Sequence, residues 1–474
     1  MPDPGATRSF WLQEALADDP GSPCPPLGTN VRADVCVVGG GFAGLWTAVE
    51  LSEREPGVRI ALLEQDICGG GASGRNGGFF SASWWDAPAI CGLFGEAAGL
   101  RYLDAVADAV EDAERWCADH GVDCWFHREG ILRTLTGAWQ EDEGEDEPSS
   151  FLAAHGLGER LVRRTVEACR DVADSPRFLS GRFMRDGAVV QPARLARGLR
   201  SIALERGVRI FERTEVTGID RSRPAVVRTA HGAVKADQVV LTTGAWAAGW
   251  PGFRRSFAVI VDHVVVTEPV PDRLEEIGWT SMTGIGDGRD LLFYLRPTDD
   301  GRIAIGGGAL GSVVGGRASS RAVTHDRRLA EAAARGLGWL FPQLEGVRFD
   351  FAWGGPIDQT ATFLPFFQTL APGNVHAGLG FSGHGLSQTL LGGRILASLV
   401  FGERDEWTTL PVVGPVGAKA PPEPLRYPAV RAAAAALELG DRRADAGLPR
   451  GFLVDAVGLT PDRYRRRLAA RGPR

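Results

Sequence analysis

The residues best suited to chemistry near the start of the chain are a glycine-rich turn, Gly39–Gly44, and an acidic residue, Glu64. The turn has the spacing GxGxxG: Gly39 permits a tight turn, Gly41 lets the backbone approach a pyrophosphate, and Gly44 lets a helix pack closely on a strand. Glu64 follows Gly44 by twenty residues, where an acid can accept ribose hydroxyls and would repel a 2′-phosphate. The pattern predicts a dinucleotide site that disfavours NADP.

This interpretation requires a strand before the turn, a helix after it and a second strand that ends at the acid. Hydrophobic periodicity predicts a strand over 34–38, a helix over 42–54 and a strand over 59–64. Glycine is abundant in the chain, at 63 residues, so the turn alone would be a weak signal. Its place between strand and helix makes it specific, and a βαβ turn without a nucleotide is the alternative.

A second glycine-rich segment, GGGASGRNGG, occupies residues 69–78. It resembles a segment of the D-amino-acid-oxidase-like FAD oxidoreductases, which include glycine and sarcosine oxidases, and is most similar to their γ-glutamylputrescine oxidase-like branch. In that family the segment runs along the pyrophosphate toward the flavin. The resemblance implies that Ser73 and Asn76 hydrogen-bond phosphate or ribityl oxygens and that Arg75 supplies charge, while Gly77 and Gly78 admit the flavin. A flexible Gly/Ser loop is the alternative.

Later stretches extend the resemblance, which covers residues 33–410. VVLTTGAW at 239–246 resembles the family's strand and turn on the adenine–ribose side, and Val216 lies in a segment whose backbone meets the adenine in relatives. NVHAGLGFSGHGL at 374–386 resembles the turn before the last helix. In relatives that helix start directs N–H groups at the flavin edge that gains charge on reduction.

The resemblance implies non-covalent FAD. Some relatives attach FAD through a histidine near the first turn or a cysteine late in the chain, but here no histidine lies between Val31 and Gly78 and no cysteine follows Cys169. Cys68 is the residue that could contradict this expectation. The implied cofactor contacts are Gly39, Gly41, Phe42, Ala43, Gly44, Glu64, Gln65, Gly71, Ala72, Ser73, Arg75, Asn76, Gly77, Gly78, Val216, Thr243, Gly244, Trp246, Gly380, Gly383, His384, Gly385 and Leu386.

The predicted fold class is α/β, with a Rossmann-type FAD-binding domain and an interleaved α+β substrate domain built on an antiparallel sheet. Residues 258–267 and 291–308 alternate and are rich in β-branched side chains, which favours antiparallel strands. The expected segments are an N-terminal arm, 1–30; a FAD-binding domain, 31–84, 181–254 and 346–410; a substrate domain, 85–180 and 255–345; and a C-terminal extension, 411–474.

Candidate catalytic residues are Tyr294, Arg296 and His384. The segment LLFYLR at 291–296 resembles the strand that lies over the flavin in relatives. Tyr294 could orient an amine or a carboxylate, and Arg296 could bind a carboxylate or belong to a structural ion pair. His384 would act on the flavin electrostatically, or simply cap or pack the helix.

Aromatic residues follow the second glycine-rich segment and could form a wall for a cationic amine. They are Phe79, Phe80, Trp84 and Trp85, and ordinary core packing is the alternative. His263, inside the strand 258–267, is more typical of a structural histidine. The acidic run at 140–148 is typical of a solvated loop.

Composition excludes several classes of protein. The formal net charge of −7 argues against a broad nucleic-acid-binding surface. The seven cysteines are odd in number and show no metal-binding spacing, so we expect no metal site and a reducing, cytoplasmic location. Neither a signal peptide nor a membrane-spanning segment is expected.

Together these features predict an enzyme that oxidises the C–N bond of a small amine or amino acid by hydride transfer to flavin N5. The imine is then hydrolysed, and O2 or another acceptor reoxidises the flavin. A dehydrogenase that passes electrons to a quinone or carrier protein is the first alternative. A flavin-binding subunit without its own turnover is the second.

Overall fold

The computed structural model describes residues 8–19, 21, 23–142, 147–451 and 454. Most strands in this part of the chain belong to two large sheets. In chain order the strands are β1 (Val31–Val38), β2 (Ile60–Leu63), β3 (Phe79–Phe80), β4 (Ile131–Leu135), β5 (Leu161–Arg164), β6 (Ser180–Met184), β7 (Ala188–Val189), β8 (Arg209–Phe211), β9 (Val216–Asp220), β10 (Ala225–Thr229), β11 (Ala233–Leu241), β12 (Ala258–Thr267), β13 (Gly284–Asp287), β14 (Phe293–Pro297), β15 (Ile303–Gly307), β16 (Gly311–Ser312), β17 (Phe349–Gln359), β18 (Phe366–Leu370) and β19 (Val375–Leu379).

Helices cover the sheets and connect their strands. In chain order the α-helices are α1 (Phe10–Asp18), α2 (Phe42–Arg54), α3 (Ala87–Phe94), α4 (Glu96–Asp119), α5 (Trp139–Asp142), α6 (Glu147–Ala154), α7 (Val166–Arg170), α8 (Pro192–Glu205), α9 (Pro271–Glu276), α10 (Arg321–Thr324), α11 (Arg327–Leu340), α12 (Gly385–Phe401) and α13 (Arg426–Asp445).

The first sheet has the strand order β18-β19-β11-β1-β2-β8, and its four central pairings are parallel. Its central strand β1 is almost wholly apolar from Val35 to Val38, as expected for a parallel strand that is buried on both faces. Helices α2, α8 and α12 pack together on one face. The carboxyl ends of β1, β2 and β11 therefore lie side by side, where α/β folds bind ligands.

The second sheet has the order β16-β12-β15-β14-β13-β4-β6-β5, with β17 paired along β12. Most of its pairings are antiparallel, as predicted from the alternating residues at 258–267 and 291–308. Helix α11 packs on one face through an apolar stripe that includes Ala330, Ala333 and Leu337. The opposite face is left to line the cavity described below.

Several predicted elements agree closely with the structure. Helix α2 and strand β12 have the expected bounds. By contrast, β6 and β17 pair in the second sheet, although the expected boundaries at 181 and 346 would assign most of each strand to the FAD-binding domain. Strand pairing causes this difference, since β6 joins β4 and β17 follows β12 along its length. The division into domains itself stays a prediction.

Each of the two terminal segments contains a helix within its described residues. The expected arm, 1–30, contains helix α1, and the extension, 411–474, contains the alanine-rich helix α13. An arginine-rich helix predicted at the end of the chain lies outside the described residues. The acidic run at 140–148 is helical where it is described, in α5 and α6, so the prediction of a loop is wrong at both of its ends.

Candidate functional site

A cavity of about 1460 Å³ lies between the carboxyl ends of the first sheet and one face of the second. It is larger than the roughly 300–1,000 Å³ of an ordinary small-molecule site, so it has room for a dinucleotide together with a substrate. Most predicted site residues line it: Gly39, Gly41, Phe42, Ala43, Glu64, Gln65, Gly71, Ala72, Ser73, Arg75, Asn76, Gly77, Val216, Thr243, Gly244, Trp246, Tyr294, Gly383, His384, Gly385 and Leu386. Gly44, Gly78, Arg296 and Gly380 do not.

The first glycine turn has the geometry that its spacing predicts. Gly39 has a φ of 112°, in the left-handed region that favours glycine. A Cβ on Gly44 would lie only 1.9 Å from the carbonyl oxygen of Gly39, so a side chain there would break the turn. Helix α2 begins at Phe42, at the edge of the cavity. Its first turn therefore presents N–H groups that lack partners within the helix.

Glu64 closes this end of the cavity. Its carboxylate accepts hydrogen bonds from the backbone N–H of Gly40, at 2.7 Å, and of Asp66, at 2.9 Å. Burial raises the pKa of Glu64 to about 7, although both backbone hydrogen bonds oppose this shift. Each carboxylate oxygen can accept a further bond, which a ribose hydroxyl in the cavity could donate.

The second glycine-rich segment is held by its own polar side chains. The Asn76 amide donates to the carbonyls of Ala72 and Ser73, and its oxygen accepts from Gly78 N–H. The Ser73 hydroxyl accepts from Phe42 N–H at 2.9 Å. These side chains therefore fix the segment against the start of α2. Their direct contact with a cofactor stays a prediction.

Arg75 is also engaged with the protein. Its guanidinium donates to the carbonyl oxygens of Gly70 and Gly354, and the Arg75 carbonyl accepts from the Trp353 indole. Arg75 nevertheless lines the cavity and carries its charge there. The expected supply of positive charge by Arg75 is compatible with this geometry.

At two positions of this segment, neighbouring protein atoms leave no room for a side chain. A Cβ on Gly77 would lie 2.6 Å from the Tyr294 ring, and one on Gly78 would lie 2.1 Å from the carbonyl oxygen of Val190. Gly78 also has a φ of 80°. The sequence resemblance attributed both glycines to the approach of a flavin, whereas the structure gives each a packing reason of its own.

On the adenine–ribose side, Val216 and Trp246 line the cavity from the edge of the first sheet. The Trp246 indole donates to the Ser319 hydroxyl at 2.9 Å, which fixes the ring beside Gly71. Gly244 has open space where a Cβ would point. The Trp246 ring therefore offers a fixed apolar surface to this part of the cavity.

The turn before α12 is held by a carboxylate that the sequence did not reveal. Asp358, at the end of β17, accepts a hydrogen bond from Gly380 N–H at 2.6 Å. Burial raises the pKa of Asp358 to about 6, against the effect of the backbone N–H groups that surround it. Gly383 and His384 line the cavity beyond this turn, and His384 is exposed at its edge.

These features fit FAD. Helix α2 offers N–H donors for a pyrophosphate, Glu64 offers a carboxylate for a ribose, and Trp246 offers a wall for the adenine. The cavity then continues past Gly77 to the second sheet, where a flavin ring would lie.

A carboxylate and a phenol meet at the far side of this cavity. Tyr294, on β14, donates its hydroxyl to Asp262, on β12, at 2.7 Å, and both side chains line the cavity. Burial raises the pKa of Asp262 to about 6, and the Tyr294 hydrogen bond opposes that shift. Burial also holds the pKa of Tyr294 well above its usual value, so the phenol stays neutral and donates. The Tyr294 ring of this pair lies directly against Gly77.

Arg296 lies away from the cavity, so a direct hold on a substrate carboxylate, as the sequence suggested, is not supported. It shares a strand face with Tyr294, but Gly78 and Val190 cover it. Its guanidinium is buried, donates to the Val190 carbonyl at 2.6 Å and stacks over Trp11 at 5.1 Å. Desolvation lowers the pKa of Arg296 to about 10.

The aromatic wall divides into two pairs. Phe79 and Trp85 line the cavity, whereas Phe80 and Trp84 are fully buried in the core. His263 is buried and accepts a hydrogen bond from Asp326 N–H at the start of α11, a structural role. Burial lowers the pKa of His263 to about 4, which keeps it neutral.

Four charged residues that were not among the predicted site residues also line the cavity: Asp262, Asp358, Arg133 and Arg182. The signal for Asp262 was present: it is a carboxylate inside the apolar stretch AVIVDHVVVT. A lone charge in such a strand needs a partner or an opening to solvent. The partner, Tyr294, is 32 residues away and could not be identified without the pairing of the strands.

The cysteine thiols lie outside the cavity. All seven cysteines are buried thiols, and Cys68 packs behind Gly40. Among the described residues, no cluster of three or more His, Cys, Asp or Glu side chains could hold a metal ion. In the same part of the chain, no helix is both long and apolar enough to cross a membrane.

Comparison with known proteins gives a consistent picture. Residues 34–399 match the family described as DAO, FAD dependent oxidoreductase. The gamma-glutamylputrescine oxidoreductase of Escherichia coli (strain K12) is 29% identical over 431 residues, which cover 89% of this chain and 96% of that protein. The glycine oxidase of Geobacillus kaustophilus (strain HTA426) is 27% identical over 353 residues, which cover 71% of this chain and 84% of that protein.

The solved structures agree on the fold. The crystal structure of glycine oxidase from Geobacillus kaustophilus superposes with a TM-score of 0.66 at 23% identity, covering 79% of this chain and 96% of the other. This similarity confirms the predicted α/β fold class with its additional sheet.

Proposed function

The chain belongs to the family of FAD-dependent oxidoreductases, and we propose that it oxidises the carbon–nitrogen bond of a small amine or amino acid. The observation that carries this proposal is the Asp262–Tyr294 pair in the wall of the cofactor cavity. The names of the relatives support it, since one is an oxidoreductase of gamma-glutamylputrescine and another is an oxidase of glycine.

The pair is suited to a cationic amine. A free amine is protonated at neutral pH, and a carboxylate in a poorly solvated cavity attracts the ammonium group. Phe79 lines the same cavity and packs edge-on against the Tyr294 ring, with 5.8 Å between centroids, so it can cover the apolar part of the substrate.

Asp262 also has a chemical task. The substrate nitrogen must lose a proton before its lone pair can assist the departure of a hydride from the neighbouring carbon. Asp262 can accept that proton, because its pKa of about 6 leaves it ionised above that pH yet more basic than an ordinary aspartate. Tyr294 fixes the carboxylate and holds it in one orientation.

Bound FAD supplies the acceptor for two electrons and one hydrogen from the substrate carbon. The substrate becomes an iminium ion, and water converts it to a carbonyl compound and ammonia or a smaller amine. The helix start at Phe42, the carboxylate of Glu64 and the turn at Gly383–Leu386 would hold the cofactor. Because Cys68 faces away from the cavity, we propose that this hold is non-covalent.

A panel of primary amines, secondary amines and amino acids, assayed for carbonyl product in air, tests the proposal. We expect at least one compound to give carbonyl product and hydrogen peroxide in equal amounts. Product that forms only with a quinone or dye as acceptor would identify a dehydrogenase instead. A flavin-containing protein that turns over no compound with any acceptor would contradict the proposal.

A further inference from the structure

Three buried side chains lie behind the second glycine-rich segment, on the side away from the cavity. Ser9 and Trp11 belong to the start of helix α1, and Trp353 belongs to β17. Each is at most 1% exposed, and none of the three lines the cavity. In contrast, Asn76 and Gly77 of the segment do line it. The backbone of the segment therefore separates the cavity from these side chains.

Three consecutive backbone carbonyls of the segment accept hydrogen bonds from these buried side chains. The pairs are the Ser9 hydroxyl with Gly74, the Trp353 indole with Arg75 at 2.9 Å, and the Trp11 indole with Asn76 at 3.0 Å. Two of the three donors come from the N-terminal helix, to which the sequence assigned no function. The carbonyls of residues 74–76 are therefore directed away from the cavity.

The direction of these carbonyls fixes the direction of the N–H groups that follow them. In a planar trans peptide, the C=O of one residue and the N–H of the next point in opposite directions. Because the carbonyls of Arg75 and Asn76 point to buried indoles, the N–H groups of Asn76 and Gly77 point to the cavity. Within the part of the chain that the structure describes, neither N–H donates to a protein acceptor. Both are left as donors for a ligand.

Helix α1 is fixed to elements of both large sheets. Glu14 accepts two hydrogen bonds from the guanidinium of Arg194, at the start of the helix α8 that packs on the first sheet. Phe10 packs against Phe351 of β17 in the second sheet, with 4.8 Å between ring centroids. These contacts hold the helix, and with it the two donors, in one place.

The Ser9 hydroxyl links the start of α1 to the segment. Ser9 is the N-cap of the helix, and its oxygen accepts a hydrogen bond from Leu12 N–H at 3.1 Å. A hydroxyl has a single O–H donor, which is left for the Gly74 carbonyl. Formation of the helix therefore orients this donor toward the segment.

We propose that Ser9 and Trp11 are positioning residues for FAD, because they hold the segment with the N–H groups of Asn76 and Gly77 facing the cofactor. Without these donors, the buried carbonyls lose their partners and the peptide planes can rotate. Rotation turns a carbonyl oxygen, in place of an N–H, toward the acceptor atoms of the cofactor. The role concerns FAD binding alone, so its test needs no substrate.

The test is the dissociation constant of FAD, measured by titrating the flavin-free full-length chain and following the fluorescence of free FAD. We expect Trp11→Phe, which keeps an aromatic ring but removes the indole N–H, to raise this constant by roughly tenfold or more. Ser9→Ala should raise it by a similar factor, since it also leaves a buried carbonyl without its donor.

Trp279→Phe and Ser175→Ala are the matched controls. The Trp279 indole is as buried as that of Trp11 and donates to the Thr283 carbonyl at 3.2 Å. The Ser175 hydroxyl is likewise buried and donates to the Leu340 carbonyl. Neither pair lines the cavity. Both variants should lower the melting temperature of the flavin-free chain and leave the dissociation constant of FAD unchanged.

Hydrogen exchange gives a second readout, independent of enzyme activity. Addition of FAD should slow exchange at the Asn76 and Gly77 amides of the unmodified chain, and Trp11→Phe should weaken this protection. Ser9→Ala, which removes a single oxygen atom, decides the matter if Trp11→Phe does not fold.

An unchanged dissociation constant in both variants, with a lowered melting temperature as in the controls, would show a merely structural role and overturn the proposal. Two amides that FAD does not protect would overturn it as well. If FAD binding depends on Ser9 and Trp11 in a chain that oxidises no amine, the positioning role stands and only the proposed function fails.

Discussion

The two ends of the cavity are built in different ways. The nucleotide end is made mainly of backbone: glycines, helix N–H groups and one carboxylate, drawn largely from residues 39–78. The substrate end is made of side chains on β4, β6, β12 and β14, which the chain visits far apart in sequence. A site made of contiguous backbone leaves a motif in the sequence, whereas a site made by strand pairing leaves only scattered residues.

The carboxylates at the two ends show the same contrast. Glu64 accepts two backbone N–H groups from its own neighbourhood, at Gly40 and Asp66. Asp262 accepts the N–H of its neighbour His263, but it also accepts the Tyr294 phenol from another strand and is partly open to the cavity. The first carboxylate is therefore suited to holding a ligand in place, and the second to recognising and deprotonating one.

The substitution expected to have the largest effect is Gly44→Ala at the nucleotide end, which should abolish FAD binding. The new Cβ would lie 1.9 Å from the backbone oxygen of Gly39, which cannot move without opening the turn. We expect the purified protein to lose bound FAD, as measured by its visible absorbance. Gly28→Ala is the control, since nothing lies within 4 Å of a Cβ at that position. This variant should keep the flavin absorbance of the unmodified protein. Full FAD retention in Gly44→Ala would refute the assigned turn geometry.

At the substrate end, Asp262→Asn should leave FAD bound but lower kcat/KM for the best amine by about 10²- to 10⁴-fold, the usual contribution of a general base. The unmodified protein should lose activity as the pH falls through about 6, because a raised carboxyl pKa means that Asp262 is protonated below that value. The variant should lack this decline in kcat/KM at low pH, which we call the acidic limb of the profile. The measurement is the pH profile of kcat/KM.

Asp350→Asn serves as the control for this prediction. Asp350 is an exposed residue of β17, the strand paired with β12, and it lies outside the cavity. It should keep both the activity and the acidic limb. An unchanged pH profile in Asp262→Asn would show that the limb belongs to another group.

A smaller effect is expected from Tyr294→Phe, which separates positioning from proton transfer. The Tyr294 hydrogen bond lowers the pKa of Asp262, so its loss should move the acidic limb to higher pH. The loss of one hydrogen bond should reduce kcat/KM by about tenfold. Tyr427→Phe, on α13 and outside the cavity, should change neither quantity. If the acidic limb of the Tyr294→Phe profile falls at the same pH as in the unmodified protein, Tyr294 is not a positioning residue for Asp262.

The fold class and the geometry of the first glycine turn could be predicted because their signals are local. Helix α2 and its flanking strands follow from periodicity, and the glycine turn follows from its spacing. The expected roles of Gly77 and Gly78 were less accurate, since their close neighbours are Tyr294 and Val190. Contacts between distant segments decide such details.

At the substrate end, Tyr294 and Arg296 were both candidates from the sequence, but only Tyr294 lines the cavity. The two residues are two apart on β14 and share a face, so periodicity cannot distinguish them; only the cover formed by Gly78 and Val190 does. Arg133 and Arg182 are 49 positions apart and become neighbours through the pairing of β4 with β6. No local pattern contains that register.

The most direct test of the central claim is anaerobic absorbance spectroscopy of the purified protein during titration with individual amines. We expect an oxidised flavin spectrum that one amine or amino acid bleaches at one equivalent per bound flavin. A flavin spectrum that no amine or amino acid bleaches would contradict the proposed reaction. A colourless protein that cannot be reconstituted with FAD would contradict the assignment of the cavity itself.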